Sequence, residues 1–432
     1  MFHSATYDKV KKRNIYSEKE WKWMIKEKRI EEFEKMAFGI FIHWGLYSQM
    51  GRGEWIMHQD RIPKEQYRKL QSTFTAEDFD GTMLARLAKK AGAKYMVLTT
   101  RHHEGFSLYD THGLSDYDVM HSPAGRDLVA EYVQACRQEG LVPFFYHTTL
   151  DWYQSSFEND FDAYLDYLYQ SVEILCTRYG KIGGLWFDGN WSRPQADWKL
   201  DRLYGMIRRY QPDAMIINNT GLDDRGRVSH REVDSVTFEQ GMPALRDQNG
   251  KYVASEMCMT MNDHWGYGKG DFHYKSPGEC IRTLCLCRKA GANLLLNIGP
   301  MGQGAIPEMS EALALCVGEW MNLFGEAIYT GRPAGIQGER DDFGLVGDEG
   351  TIYLLVFDLG ISGNENVTVG KRGSRLATFS GIHQKIQKIQ WMDNGQELSF
   401  MQNPEQGMLT LHATGFDYGC QYVVRIAKGT VA

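Results

Sequence analysis

Gly183-Gly184-Leu185-Trp186-Phe187-Asp188-Gly189 is an unbroken apolar run with glycine on both sides and a single acid at its end. Such a run reads as a β-strand buried on both faces. The acid stands where the strand emerges into a loop. A carboxylate left in a core without partners is costly. Asp188 therefore either caps the turn that follows or works at the mouth of a barrel, and the neighbouring segments decide between the two.

Working outward, the same unit recurs. Buried strands are predicted at residues 38–44, 94–100, 141–148, 183–189, 214–219 and 293–299. Shorter extended runs at 235–239 and 253–259 have weaker helical segments around them. Helical spacing marks residues 79–91, 126–139, 161–179, 197–210, 277–290 and 307–324, and a Lys-, Glu- and Trp-rich lead-in covers 17–36. Alternation of this kind implies a parallel sheet. Eight strands in roughly 300 residues fit an α/β fold of the (β/α)8-like TIM barrel type better than an open doubly wound sheet. No Gly-x-Gly-x-x-Gly follows the first strand, which argues against a dinucleotide fold. Units five to seven are the irregular part of the barrel.

After Gly331 the texture changes to short strand-like runs at 351–358, 367–370, 386–392, 397–401, 408–412 and 421–427, separated by glycine-rich turns. Asp393-Asn394-Gly395 is a strong hairpin signal. The expectation is a small C-terminal antiparallel β-sandwich over residues 332–432, joined through a connector at 332–342. Residues 1–331 form the catalytic barrel with its helical lead-in.

A chain of 432 residues is long for one core, which agrees with that division. A formal net charge of −7 and the lack of a basic run exclude the electrostatic footprint of a nucleic-acid binder or of an anionic membrane surface. No run approaches the about 20 apolar residues of a membrane span. The eight cysteines show no Cys-x-x-Cys spacing and read as reduced, mostly buried thiols. With no apolar signal core at the N-terminus, the expected location is cytoplasmic. Oligomeric state is left open, a homo-oligomer among the outcomes. The 11 Trp and 23 Tyr offer flat faces suited to sugar rings.

Catalytic groups of a (β/α)8 barrel stand at the C-terminal ends of its strands. Those ends here carry His43-Trp44, His102-His103-Glu104, Tyr146-His147, Asp188, Asn218-Asn219, Glu239 and Asn297, with Glu54-Trp55 and Trp265 in the following loops. One chemistry that uses such a set is glycoside hydrolysis, which needs two carboxyls flanking a C–O bond. Asp188 suits the ionised partner and Glu239 the acid/base, while His, Tyr, Trp and Asn suit ring hydroxyls. The competing chemistry is metal-assisted hydrolysis with His43, His102, His103 and Asp188 as ligands. Against it, the first strand offers a lone His, and adjacent His102 and His103 would point to opposite faces of a strand. No metal or cofactor is expected.

Phe38-Gly39-Ile40-Phe41-Ile42-His43-Trp44-Gly45, Gly53-Glu54-Trp55, Arg101-His102-His103-Glu104-Gly105-Phe106, Leu185-Trp186-Phe187-Asp188 and Asn293-Leu294-Leu295-Leu296-Asn297-Ile298-Gly299-Pro300 occur in this order over residues 23–331. Together they resemble the signature blocks of α-L-fucosidases, glycoside hydrolase family 29. The resemblance implies a retaining exo-glycosidase that removes terminal α-L-fucose from fucosylated glycans through a covalent fucosyl-enzyme. Asp188 matches the family's nucleophile. His43, Glu54, Trp55, His102, His103 and Tyr146 match positions that hold fucose hydroxyls. Trp186 precedes the nucleophile, and Trp265 matches an aromatic on the sugar's apolar side. For the acid/base, Glu239 at a strand end is favoured over Glu256, which falls in mid-strand. Thr220 stands where many relatives carry an arginine; Arg225 and Arg227 in the following loop are candidates to replace it, and no binding arginine is assigned. A fucose-binding module without turnover is the remaining reading, and the presence of both carboxylates argues against it.

Overall fold

The computed structural model describes residues 26–244, 251–361, 373–417 and 422–431. Strands β1 (Phe38–Ile42), β2 (Tyr95–Arg101), β3 (Val142–Thr148), β4 (Gly184–Asp188), β5 (Met215–Asn218), β6 (Ser235–Glu239), β7 (Ala254–Thr260) and β8 (Asn293–Ile298) close into a parallel barrel in chain order. Their residues are buried almost throughout; β1 is a continuous apolar run, whereas β6 alternates polar and apolar residues and β7 and β8 bury polar side chains such as Glu256 and Asn293. Asp188 and Glu239, the last residues of β4 and β6, are only partly buried. The glycines that open the 183–189 stretch serve close approach. A Cβ on Gly183 would lie 2.2 Å from the Phe144 ring, and one on Gly184 2.6 Å from the Met215 carbonyl oxygen. Any larger residue would push β4 out from between β3 and β5.

Around the barrel run α1 (Lys28–Met36), α2 (Gly81–Lys90), α3 (Leu128–Glu139), α4 (Phe161–Arg178), α5 (Leu200–Tyr210), α6 (Pro277–Lys289) and α7 (Glu308–Thr330). Asp80, Asp127, Asp160 and Ser276 accept first-turn N–H groups and so fix where α2, α3, α4 and α6 begin. Helix α1 packs into the N-terminal end of the barrel. Its Phe33 ring lies 5.4 Å from Tyr95 and 5.8 Å from Phe144, and its Phe33 carbonyl accepts from Asn293 at 2.7 Å. Aromatic and aliphatic side chains fill the interior above it, so the barrel is a floor and not a pore. The rest of the expected lead-in, residues 17–25, lies outside the described residues.

Between β5 and β6 the expected helix is absent. Residues 219–234, with three Asp and two Gly among them, run as turns, and the two strands share one register pair, Ile217 with Ser235. Asp234 repairs this thin seam. Its buried carboxylate accepts from the Ile216 N–H at 2.9 Å and from Arg29, Arg208 and Lys251 at 3.0, 2.5 and 2.9 Å. Burial pushes its pKa up, and the three cations outweigh that and hold it below the usual carboxylate range.

The C-terminal part is one antiparallel sheet of β9 (Arg332–Gly338), β10 (Phe343–Val346), β11 (Ile352–Phe357), β12 (Arg375–Ser380), β13 (Ile386–Trp391), β14 (Phe400–Asn403), β15 (Met408–Ala413) and β16 (Val424–Val431). Its order is β13-β16-β11-β10-β9-β12-β15-β14. The sheet curls until its ends meet. Leu398 N–H reaches the Ile389 carbonyl at 2.9 Å, and Gln402 bonds both the N–H and the carbonyl of Ile386. A core that includes Leu354, Phe379, Trp391 and Leu411 is enclosed. Phe343, Leu355, Val424 and Ile426 instead join the core around the barrel helices.

The expected connector at 332–342 is in fact β9 and its turn, whose burial does not alternate. Strands β10 and β12 were not anticipated, and the run at 367–370 lies outside the described residues. The Asp393-Asn394-Gly395 turn forms, with Gly395 at φ +72° and its N–H on the Trp391 carbonyl. Beyond the turn the chain runs briefly back along β13, with Trp391 N–H on the Gln396 carbonyl and Leu398 N–H on the Ile389 carbonyl, both at 2.9 Å, before β14 pairs with β15. Among the described residues no helix is long and apolar enough to cross a membrane.

Candidate active site

A cavity of about 820 Å³ opens at the C-terminal ends of the barrel strands. His43 follows β1, His102 and His103 follow β2, Tyr146 lies in β3, Trp186 and Asp188 in β4, and Glu239 ends β6. Glu54 and Trp55 enter from the loop after β1, and Trp265 enters from the loop after β7. All ten line this one cavity. The two loops are tied together by Gly53 N–H to the Tyr267 carbonyl at 3.0 Å and Lys269 N–H to the Gly51 carbonyl at 2.8 Å.

Asp188 is surrounded by donors. Trp191 Nε1 and Asn219 Nδ2 reach its Oδ1 at 2.8 and 3.1 Å, and the Tyr146 hydroxyl reaches Oδ2 at 3.0 Å. His103 Nε2 stands 3.4 Å from the same Oδ2. Burial works to raise the Asp188 pKa, but His103, Trp191 and Tyr146 outweigh it and hold the group below its ordinary value. Glu239 goes the other way. Burial, then the Asp188 charge, push it up to about 7, with Asn219 and Arg225 opposing in part. The Asn219 amide also donates to Glu239 Oε2 at 2.8 Å, so one nitrogen spans both carboxyls. Two acids in one cavity with pKa values driven apart are the arrangement of an ionised and a protonated partner.

Residues 4–326 match the family model for α-L-fucosidase. The chain belongs to the α-L-fucosidases, glycoside hydrolase family 29. It is 27% identical to mouse tissue α-L-fucosidase over 408 residues, covering 87% of this chain and 86% of that protein. With human tissue α-L-fucosidase it shares 28% over 340 residues, 72% of this chain and 71% of that one. Among solved structures, α-L-fucosidase isoenzyme 1 from Paenibacillus thiaminolyticus superposes with a TM-score of 0.79 at 30% identity, covering 94% of this chain and 99% of that one. A family 29 α-L-fucosidase of Bacteroides thetaiotaomicron, described as a trapped covalent intermediate, shares the fold with a TM-score of 0.77 at 23% identity, over 95% and 97% of the two chains.

In this family member the remaining residues form a polar wall with fixed hydrogen-bond directions. Asn297 donates its amide to the Trp265 carbonyl at 2.7 Å, which leaves its oxygen to accept from His43 Nδ1 at 2.7 Å. His43 thus carries its proton on Nδ1 and turns an Nε2 lone pair to the cavity. Burial pushes its pKa down to about 3, so the ring stays neutral. Thr148 gives its hydroxyl proton to the Leu150 carbonyl at 2.6 Å and accepts from His103 Nδ1 at 2.6 Å. Glu54 takes the Gly266 N–H at 2.8 Å, and its burial raises its pKa. Trp265 lies 5.0 Å from the His43 ring, and Trp55 lies 5.5 Å from His103.

Trp191 and Asn219 also line the cavity. Asn219 stands at a strand end, where the sequence drew attention to it. Trp191 was missed because it sits in an irregular loop, its only signal an aromatic three residues past an acid. Of the two candidate arginines, Arg225 lines the cavity and donates to the Glu239 carbonyl at 2.5 Å, whereas Arg227 bonds Asp224 outside it. Glu256 lies in the middle of β7 below the cavity, with Trp186 Nε1 on one oxygen at 2.8 Å and the Tyr95 hydroxyl on the other. Both of its oxygens are therefore taken. Among the described residues no three His, Cys, Asp or Glu side chains converge as metal ligands.

Proposed function

We propose that this family member is a retaining exo-α-L-fucosidase that removes terminal α-L-fucose from fucosylated oligosaccharides or glycoconjugates, with Asp188 as nucleophile and Glu239 as acid/base. The observation that carries this reading is the Asn219 amide shared by the two carboxyls. Its reach holds Asp188 Oδ1 and Glu239 Oε2 no more than about 6 Å apart, below the about 6.5–9.5 Å of inverting enzymes and compatible with the about 5–5.5 Å of retaining ones.

Asp188 attacks the anomeric carbon while protonated Glu239 gives its proton to the departing oxygen. The now ionised Glu239 then takes a proton from water, which opens the fucosyl ester and returns fucose with its configuration kept. His43 accepts from a ring hydroxyl, and Glu54, His102, His103, Tyr146 and Trp55 take the others. Trp186 lines the floor, and Trp265 covers the apolar side of the sugar. Seven free cysteines among the described residues, six of them buried, suit a reducing, cytoplasmic compartment.

Substituting Asp188→Ala is expected to remove nearly all turnover of an aryl α-L-fucoside while leaving the fold intact. Azide should then restore reaction as a glycosyl azide, and full activity without azide would end the nucleophile assignment. Glu239→Ala should damage hydrolysis of unactivated glycans far more than that of an activated aryl fucoside. Equal losses would direct attention to Glu256.

A further inference from the structure

Glu104, the third residue of His102-His103-Glu104, takes no part in the mechanism above. Its side chain is fully buried and is not among the residues that line the active-site cavity. Its Oε2 stands 3.7 Å from Nδ1 of His102, and that nitrogen is buried with no hydrogen-bond partner among the described residues. Room for the carboxyl is made by Gly45, where a Cβ would lie 2.6 Å from Oε1. We infer that Glu104 is a positioning residue that acts through His102, holding the Nδ1 edge of the ring so that an Nε2–H donor is presented to a sugar hydroxyl. The inference rests on the proposed binding of fucose by His102.

The three histidines of the cavity explain why such a residue is needed. His43 and His103 are fixed as Nδ1–H donors to Asn297 and Thr148. His102 is the one whose Nδ1 faces an acid. A neutral carboxylic acid donates to Nδ1 and leaves the proton on Nε2, whereas a carboxylate accepts from Nδ1–H and leaves Nε2 a lone pair. Burial pushes Glu104 up to about 8. Asp151 pushes the same way and Arg101 opposes it, while the phenols of Tyr47, Tyr67 and Tyr117 face the carboxyl. Burial, then His103 and His43, keep His102 itself uncharged. The 3.7 Å gap is of the kind that closes when a substrate tightens a site.

Two variants separate this from a space-filling role. Glu104→Gln keeps an N–H to donate to Nδ1, and Glu104→Leu keeps the volume without a donor. Affinity for L-fucose, measured by calorimetry, should fall about tenfold in Glu104→Leu and stay within about threefold in Glu104→Gln. In the wild-type protein affinity should weaken further as pH rises through about 8, and that loss should be missing in Glu104→Gln. Nitrogen NMR of His102 should show the proton leaving Nε2 over the same range. Equal affinity in Glu104→Leu and wild type, with thermal unfolding showing both folded, overturns the inference. So does the same pH course in wild type and Glu104→Gln. A wild-type protein that neither binds L-fucose nor cleaves an aryl fucoside overturns the functional reading itself.

Discussion

Asp188 is held by an indole, an amide, a phenol and an imidazole, and the imidazole, indole and phenol lower the proton affinity that burial alone would raise. Trp191 gives the shortest of these contacts and is the simplest to test. A hydrogen bond to a charged group contributes about 1.5–3 kcal/mol, which corresponds to one or two pH units. Trp191→Phe keeps the ring and removes the donor, so the acid limb of kcat/KM should move up by about one unit. If Glu239 is the acid proposed above, the alkaline limb should stay near 7, since activity then falls as that group loses its proton. A pH–rate profile on an aryl fucoside reads both limbs at once. At this scale the sequence carried much of the site, because strand ends in a parallel barrel converge by geometry. Trp191 escaped it, as a loop side chain has no periodicity to betray where it points.

The strands themselves were legible for a related reason. A strand buried on both faces reads as a mainly apolar run, and Gly184 to Phe187 of β4 and Leu294 to Leu296 of β8 show that plainly. The β5–β6 seam shows the limit of such reading. Its turn-forming segment carries no helix, and the missing ladder bonds are replaced by Asp234, a residue that local pattern does not distinguish from a surface acid. Among the described residues, Asp234→Ala would leave Arg29 and Lys251 with Glu27 alone and Arg208 with Glu232 alone, and losing the buried partner of an ion network costs about 3–5 kcal/mol. Denaturant midpoints should report that loss near neutral pH. The sign with pH follows from the lowered folded pKa. The stabilisation is complete above the unfolded value of about 3.9 and disappears as pH falls through the folded value. The gap between wild type and Asp234→Asn should therefore narrow below about pH 4.

Across the whole molecule, the barrel and the C-terminal sheet share a core. Trp320 of α7 is fully buried and donates to the Val424 carbonyl of β16 at 2.9 Å, while Arg282 of α6 pairs with Asp341 and Asp358. Nothing local in the sequence announces these contacts. Trp320 and Val424 lie far apart along the chain, and the apolar pattern of β9 and β16 does not say which face meets a helix. The two parts are coupled by a buried aromatic and not only by the exposed pairs around it, which are worth little singly. Trp320→Ala should cost about 3–5 kcal/mol from lost burial and the cavity left behind. It also strands the Val424 carbonyl without its donor, whereas Trp320→Phe loses the donor and keeps most of the contact. Thermal unfolding followed by calorimetry should then show Trp320→Ala lowering the transition of the barrel as well as that of the sheet, with Trp320→Phe between it and wild type. A barrel transition that stays in place while the sheet melts early would mean that the helical face holds itself together without the sheet.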